Sequence, residues 1–247
     1  LGGVIGQAPF GYAVEQIGWR ETNWWVAMAG GVLTICLFLT VRDRPRGETE
    51  PTRPLLEGVK RALSNAQTWL AAAFGVGMTG PMLAFGGLWG VPFLMELRGL
   101  EKPEAAALVS VIFLGWGVGA PLFGWLSDKL GRRRPFMMLG GLLATSGIAL
   151  TLLFPTMPLP LLQAVLAIQG LGSSTMVLSF AVARDHNPPW ASSATLGTIN
   201  SFVVGSGAVL QPTIGYLLDL GWDGRLVDGA RVYSQDTFGF ALQILPW

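Results

Sequence analysis

Charge is what this sequence has least of. Lys, Arg, Asp and Glu together make up 13% of its 247 residues, about half the share that a soluble domain carries. That shortage excludes an ordinary soluble protein, and the lack of any basic face or stacking platform excludes nucleic-acid binding. The one cysteine, Cys36, rules out an internal disulfide. The one histidine, His186, stands beside Asn187 and two prolines, so it reads as a solvated turn residue. No Ser-His-Asp set, metal-ligand spacing or phosphate-cradling glycine loop occurs. The expectation is a protein that is not an enzyme and has neither cofactor nor metal.

Hydrophobicity takes the place of charge. The chain is 51% hydrophobic with a mean hydropathy of +0.50. Apolar runs cover Trp24–Val41, Trp69–Phe93, Ala105–Leu126, Phe136–Phe154, Leu161–Ala183 and about Ala194–Leu218, each near the ~20 residues that cross a bilayer as a helix. Shorter runs, Leu1–Val14 and Phe238–Trp247, open and close the sequence. This pattern is expected of a piece of a longer polytopic protein with no visible signal peptide. The fold class is an all-α membrane protein, a polytopic helical bundle.

Every Lys and Arg lies between these runs or at their ends. One set of turns carries Arg42, Arg44, Arg46, Arg53, Lys60 and Arg61, then Lys129 and Arg132 to Arg134, then Arg184; the opposite set carries Arg20, Arg98, Lys102, Arg225 and Arg231. Basic residues stay on the cytoplasmic side, so the first set faces the cytoplasm, and a multi-pass protein of the plasma membrane, the inner membrane in a bacterium, is expected. The stretch from Arg42 to about Gln67 is the longest hydrophilic segment, and within it Leu55 to Leu63 has helical apolar spacing with a charged face, as in a helix lying on the membrane surface. The run Trp69–Phe93 holds Gly80-Pro81 and several further glycines and is expected to bend or break.

A short polar clip, GWLSDKLGRRRP at 124–135, joins two of the runs. Gly131 suits a left-handed turn and Pro135 suits the start of a helix. The spacing of Gly124, Asp128, Lys129, Gly131, Arg132 and Arg133 resembles the loop signature of the major facilitator superfamily of secondary transporters. The resemblance implies part of a twelve-helix, two-bundle fold, here about helix five to the start of helix twelve. Residues 1–41 would be the last two helices of the first bundle, 42–67 a linker with its amphipathic helix, and 68–247 the second bundle. It further implies alternating access, with the clip closing the cytoplasmic side. Arg184 and Asp185 emerge on that side, so Asp185 is expected to pair with Arg132 or Arg133, and Asp128 to dock near the start of the first run.

No ionisable residue falls within the apolar runs, where one would cost at least ~2.5 kcal/mol and mark function. The candidates for a solute cavity are therefore neutral: Met78, Thr79, Met82, Phe85 and Trp89 on one run, Gln169, Ser173 and Ser174 on another, Asn200 and Gln211 on a third, and Gln7 on the first. Asn200 and Gln211 are eleven residues apart, close to three turns, and are expected to share a water-accessible face. The expected function is transport of a small neutral or zwitterionic solute, coupled to a proton, by a monomer in the lipid bilayer. Gly6-Gln7-Ala8-Pro9 resembles an antiporter motif in part and keeps an efflux antiporter for amphipathic compounds as an alternative, beside a transporter-like sensor.

Overall fold

The structure, a computed structural model, describes residues 10–14, 16–42, 54–227 and 229–246. Among these, six helical stretches are long and apolar enough to cross a membrane: Trp19–Thr40, Ala66–Arg98, Lys102–Leu130, Arg134–Leu153, Leu159–Asp185 and Pro189–Leu220. They extend the apolar runs at their ends, because polar caps and turn residues continue the helices beyond the hydrophobic stretch.

The first, α1 (Trp19–Thr40), buries only Thr22. Its apolar side chains are left uncovered by the rest of the described chain. A short surface helix follows, α2 (Leu55–Leu63), and Asn65 then caps the next helix by accepting a hydrogen bond from Gln67 N. The stretch Ala66–Arg98 was expected to bend or break at Gly80-Pro81. It does not break, but its winding changes: α3 (Ala66–Pro81) passes into a π-helical segment, Met82–Trp89, and returns to α4 (Gly90–Arg98). Pro81 has no N–H for the ladder, and the bond of Gly90 N to Phe85 O shows the wider π turn.

The clip behaves as its residues suggest. Helix α5 (Lys102–Leu130) ends where Gly131 takes φ 61, and α6 (Arg134–Leu153) starts with Pro135 in its first turn. Then come α7 (Leu159–Ser173), a 3-10 turn at Ser174–Met176, and α8 (Val177–Asp185). Helix α9 (Ser192–Leu220), a two-residue-stranded hairpin (β1 Leu226–Val227, β2 Ala230–Arg231) and α10 (Gln235–Leu242) complete the described fold.

Two parts of the described fold repeat one another in their segment lengths. Irregular winding sets in after 16 residues of α3 and after 15 of α7, and each stretch closes with a nine-residue helix, α4 or α8. Helices α5 and α9, which follow, both have 29 residues and an internal proline, Pro121 or Pro212. Each long helix packs on the opening helix of the other unit, α5 along α7 and α9 along α3. Glycines let these backbones meet. Gly115 of α5 lies against Ala167, and Gly170 of α7 lies against the Ile112 carbonyl. Such small-residue contacts are how helices associate in lipid, where no hydrophobic force separates them from solvent.

Candidate functional site

The π segment and α9 hold each other by two reciprocal hydrogen bonds. Gln211 Nε2 donates to Leu83 O at 2.9 Å, and Trp89 Nε1 donates to Gln211 O at 3.0 Å. Gln211 and Trp89 are thus spent on joining two helices. Nearby, Phe85 and Met82 are buried in the core, where Phe85 meets Phe93, Phe93 meets Phe238, and Tyr233 meets both Phe238 and Trp89. Met78, Met82, Phe85 and Trp89 therefore do not line one surface. A stripe drawn at 3.6 residues per turn drifts once the winding becomes π.

On α9 the face expected to be uniform is divided. The π segment covers its upper part, where Gly207 lies against Leu83 and Gln211 is half-buried, while Asn200 and Val204 remain exposed. Ser174 and Thr175 are fully buried and return their hydroxyls to Leu171 O and Gly172 O, at 2.6 and 2.8 Å. They pack against Gly119 of α5 and Gly140 of α6. Thr79 is buried, and its hydroxyl has no partner. Gln7 lies outside the described residues.

Three candidates do come together. Met78, Gln169 and Ser173 line a cavity of about 300 Å³, with Pro81, Thr145 and Leu210 among the other walls. Gln169 is 1% exposed. Its stem is pressed against Gly147 of α6, where an added Cβ would stand 2.6 Å from Gln169 Cβ. Its Oε1 is buried without a hydrogen-bond partner, an arrangement that costs about 1–3 kcal/mol unless something donates to it. No charged side chain lines this cavity.

At the basic end of the bundle, Arg133 sits between two carboxylates. Its Nε is 2.8 Å from Asp185 Oδ2 and its NH1 is 3.3 Å from Asp128 Oδ1. Of the two partners expected for Asp185, the structure has Arg133. Asp128 turns to the same arginine, and its expected docking near the start of the first run falls on residues outside those described. Lys129 lies over the Trp125 ring at 4.8 Å, Gly124 is half-buried, and Arg132 and Arg184 are exposed.

The family model of the Major Facilitator Superfamily matches residues 1–212. The chain belongs to that superfamily. A gentisate transporter of Corynebacterium glutamicum is 29% identical over 187 residues, which is 73% of this chain and 39% of that protein. The chain thus spans about two fifths of the length of this relative. In fold it is similar to a crystal structure of a bacterial homolog of the human lysosomal transporter Spinster, in an inward-facing and unoccupied conformation. That likeness has a TM-score of 0.52 at 20% identity and covers 96% of this chain and 59% of the other.

Two further clusters in this superfamily member escaped the sequence reading. Asn187 is buried and donates to Thr68 Oγ1 at 3.0 Å and to Ala183 O at 2.8 Å, while Asn65 Nδ2 donates to His186 O at 2.7 Å. This knot ties the start of α3 to the end of α8. An asparagine beside an exposed histidine and two prolines gave no sign of it, because its partners are about 120 positions away. At the opposite end, the hairpin is clamped to the helices: Arg225 to Glu96 at 2.9 Å, Arg231 to Asp219 at 2.8 Å, and Tyr233 to Asp219 at 2.7 Å. Burial and then the Asp219 bond raise the Tyr233 phenol above its ordinary range, and the Glu96 bond raises Arg225.

Proposed function

We propose that this protein moves a small hydroxyl-bearing organic solute across the membrane by alternating access, with a proton as the coupling ion. Residues 1–41 then end one bundle, 42–67 link, and 68–247 supply the second bundle. The observation that carries the reading is Gln169, whose Oε1 is buried without a partner, among the residues that line an uncharged cavity with Ser173, Thr145 and Met78. Such a wall suits a donor hydroxyl on a flat apolar body, and sites at the interface of repeats are how this class of transporter works. Kinship to a transporter of gentisate, a dihydroxylated benzoate, puts hydroxybenzoates first among solutes to try. A carboxylate on such a solute would be met by groups beyond this cavity.

Purified protein in vesicles should take up gentisate faster under an imposed proton gradient, and collapsing the gradient should slow uptake. Benzoate, which lacks the hydroxyls, should be carried at least fivefold more slowly. Absence of flux for every solute tested would favour a sensor. Equal rates for gentisate and benzoate would remove Gln169 from the account.

The Asp128–Arg133–Asp185 group is the proposed latch at the basic end. Asp128 is 72% exposed, so its pair is worth only ~0–1 kcal/mol of stability. A latch needs no more, since a bias of ~1.4 kcal/mol shifts two states tenfold. Asp128→Asn should insert and fold as the parent does, transport several times more slowly, and leave a cysteine at Met137 more reactive from the basic side. Unchanged flux together with unchanged labelling would reduce the clip to a topology signal.

A further inference from the structure

The exposed face of α2 fits a membrane leaflet. Its apolar residues form an arc wider than the protein covers. One edge of that arc, Gly58 and Ala62, is buried against the start of α9, where a Cβ on Gly58 would stand 2.9 Å from Ala194 Cβ. The close contact fixes the rotation of the helix. It leaves Leu55 and Leu56 exposed at 74% and 66%, with Leu63, seven positions from Leu56 and so on the same face, at 40%. Glu57, Lys60 and Arg61, spaced i, i+3 and i+4, make a charged face, with Lys60 at its border one turn from Leu56.

The position of α2 is set by its neighbours. Only Ser64 and Asn65 separate it from the spanning stretch Ala66–Arg98, so it lies at the level of a membrane surface. The indole of Trp69, in the first turns of that stretch, donates to Leu63 O at 2.8 Å and meets the Phe202 ring of α9 at 5.1 Å, tilted by 53°. Trp69 and Leu70 are themselves exposed. The uncovered leucines of α2 therefore continue an apolar belt that begins on the spanning helices and has an interfacial tryptophan at its edge. Basic side chains surround this level: Lys60 and Arg61 on α2, and the exposed Lys129, Arg132, Arg134 and Arg184 on the same end of the bundle.

We infer that α2 is an anionic-lipid-binding foot. Leu56 and Leu63 enter the acyl region, and Lys60 and Arg61 rest on negatively charged headgroups of the leaflet at the basic end. An amphipathic helix binds by this combination of buried apolar area and basic charge, and each basic residue near an anionic surface contributes roughly a fivefold gain in partitioning. The inference stands on the membrane spans and on the docking of α2, independently of which solute is carried.

The test uses the full chain with Cys36→Ser, and an environment-sensitive fluorophore on Leu56→Cys or Arg61→Cys, in vesicles of phosphatidylglycerol and phosphatidylcholine. Lipids brominated on their chains should quench the label at 56 at least threefold more than the label at 61, and aqueous iodide should do the reverse. Replacing phosphatidylglycerol by phosphatidylcholine should weaken the lipid quenching at 56 at least twofold. Lys60→Gln with Arg61→Gln should abolish that dependence on composition. A label at 56 that iodide reaches freely, one shielded from both quenchers because a second copy or another segment covers it, or quenching indifferent to lipid charge would each overturn the inference. If Leu56→Cys does not yield monodisperse protein, Leu63→Cys gives the same reading.

Discussion

Gly170→Leu should leave almost no folded protein, with the detergent-stable fraction falling at least tenfold. The reason is the kind of atom that stands in the way. A Cβ on Gly170 would meet the carbonyl of Ile112, with Ile112 C at 2.7 Å and Cα at 3.0 Å. Backbone cannot step aside as the end of a flexible side chain can, so α5 and α7 would have to separate along the contact that joins the two repeat units. Overpacking of an ordinary core costs about 1–3 kcal/mol, and here there is no side-chain movement to relieve it. Gly117→Leu is the control on the facing helix. Nothing lies within 4 Å of its added Cβ, and its fluorescence-detected elution profile should match that of the parent. If both variants behave alike, close backbone approach is not what holds the pair together.

Gln169→Leu should do the opposite, with folding kept and function lost. Leucine has nearly the volume of glutamine and fits the same contact with Gly147. It also removes a buried acceptor that the protein leaves unpartnered. Melting in detergent should therefore be unchanged or shifted upward, by the equivalent of about 1 kcal/mol. Uptake of a hydroxylated solute should fall at least tenfold, because the group that would receive its hydroxyl is gone. The two signs together make the measurement decisive. Joint loss of stability and uptake would mean that Gln169 serves packing, and normal uptake would mean that the solute passes elsewhere.

The spans were legible because lipid demands apolar composition over a fixed length, and composition survives without any alignment. The turn at Gly131 and the helix start at Pro135 were legible for a similar reason, since each residue type narrows its own backbone. The cavity was legible in part. Gln169 and Ser173 lie on a stretch of α7 that keeps α-helical winding, so their spacing told the truth. The hydrogen bonds that join Trp89 and Gln211 were not legible, because the π segment shifts the face of Trp89 and nothing local in the sequence announces that shift. The repeat was hidden for another reason. It is written in segment lengths and in where the winding breaks, and neither leaves similar residues at matching positions. Asn187 shows the last limit: its role depends on Thr68 and Asn65, which only the folded chain brings near.

The π segment also bears on how the length of this chain can change over time. Each π turn holds about one residue more than an α turn, so the stretch Met82–Trp89 stores what amounts to an insertion within a helix. Losing one residue there would let α winding resume and leave what lies beyond it close to its present orientation. Phe93 would stay near Phe238 and Glu96 near Arg225, contacts that tie the core and the hairpin to this helix. Substitution is easiest at the exposed Leu88, whereas a Cβ on Gly87 would stand only 3.3 Å from Gln211 Nε2. A change of one residue can thus be absorbed within this segment, whereas the same change in α3 or α4, where the winding is already α, would turn what lies beyond it by about 100°.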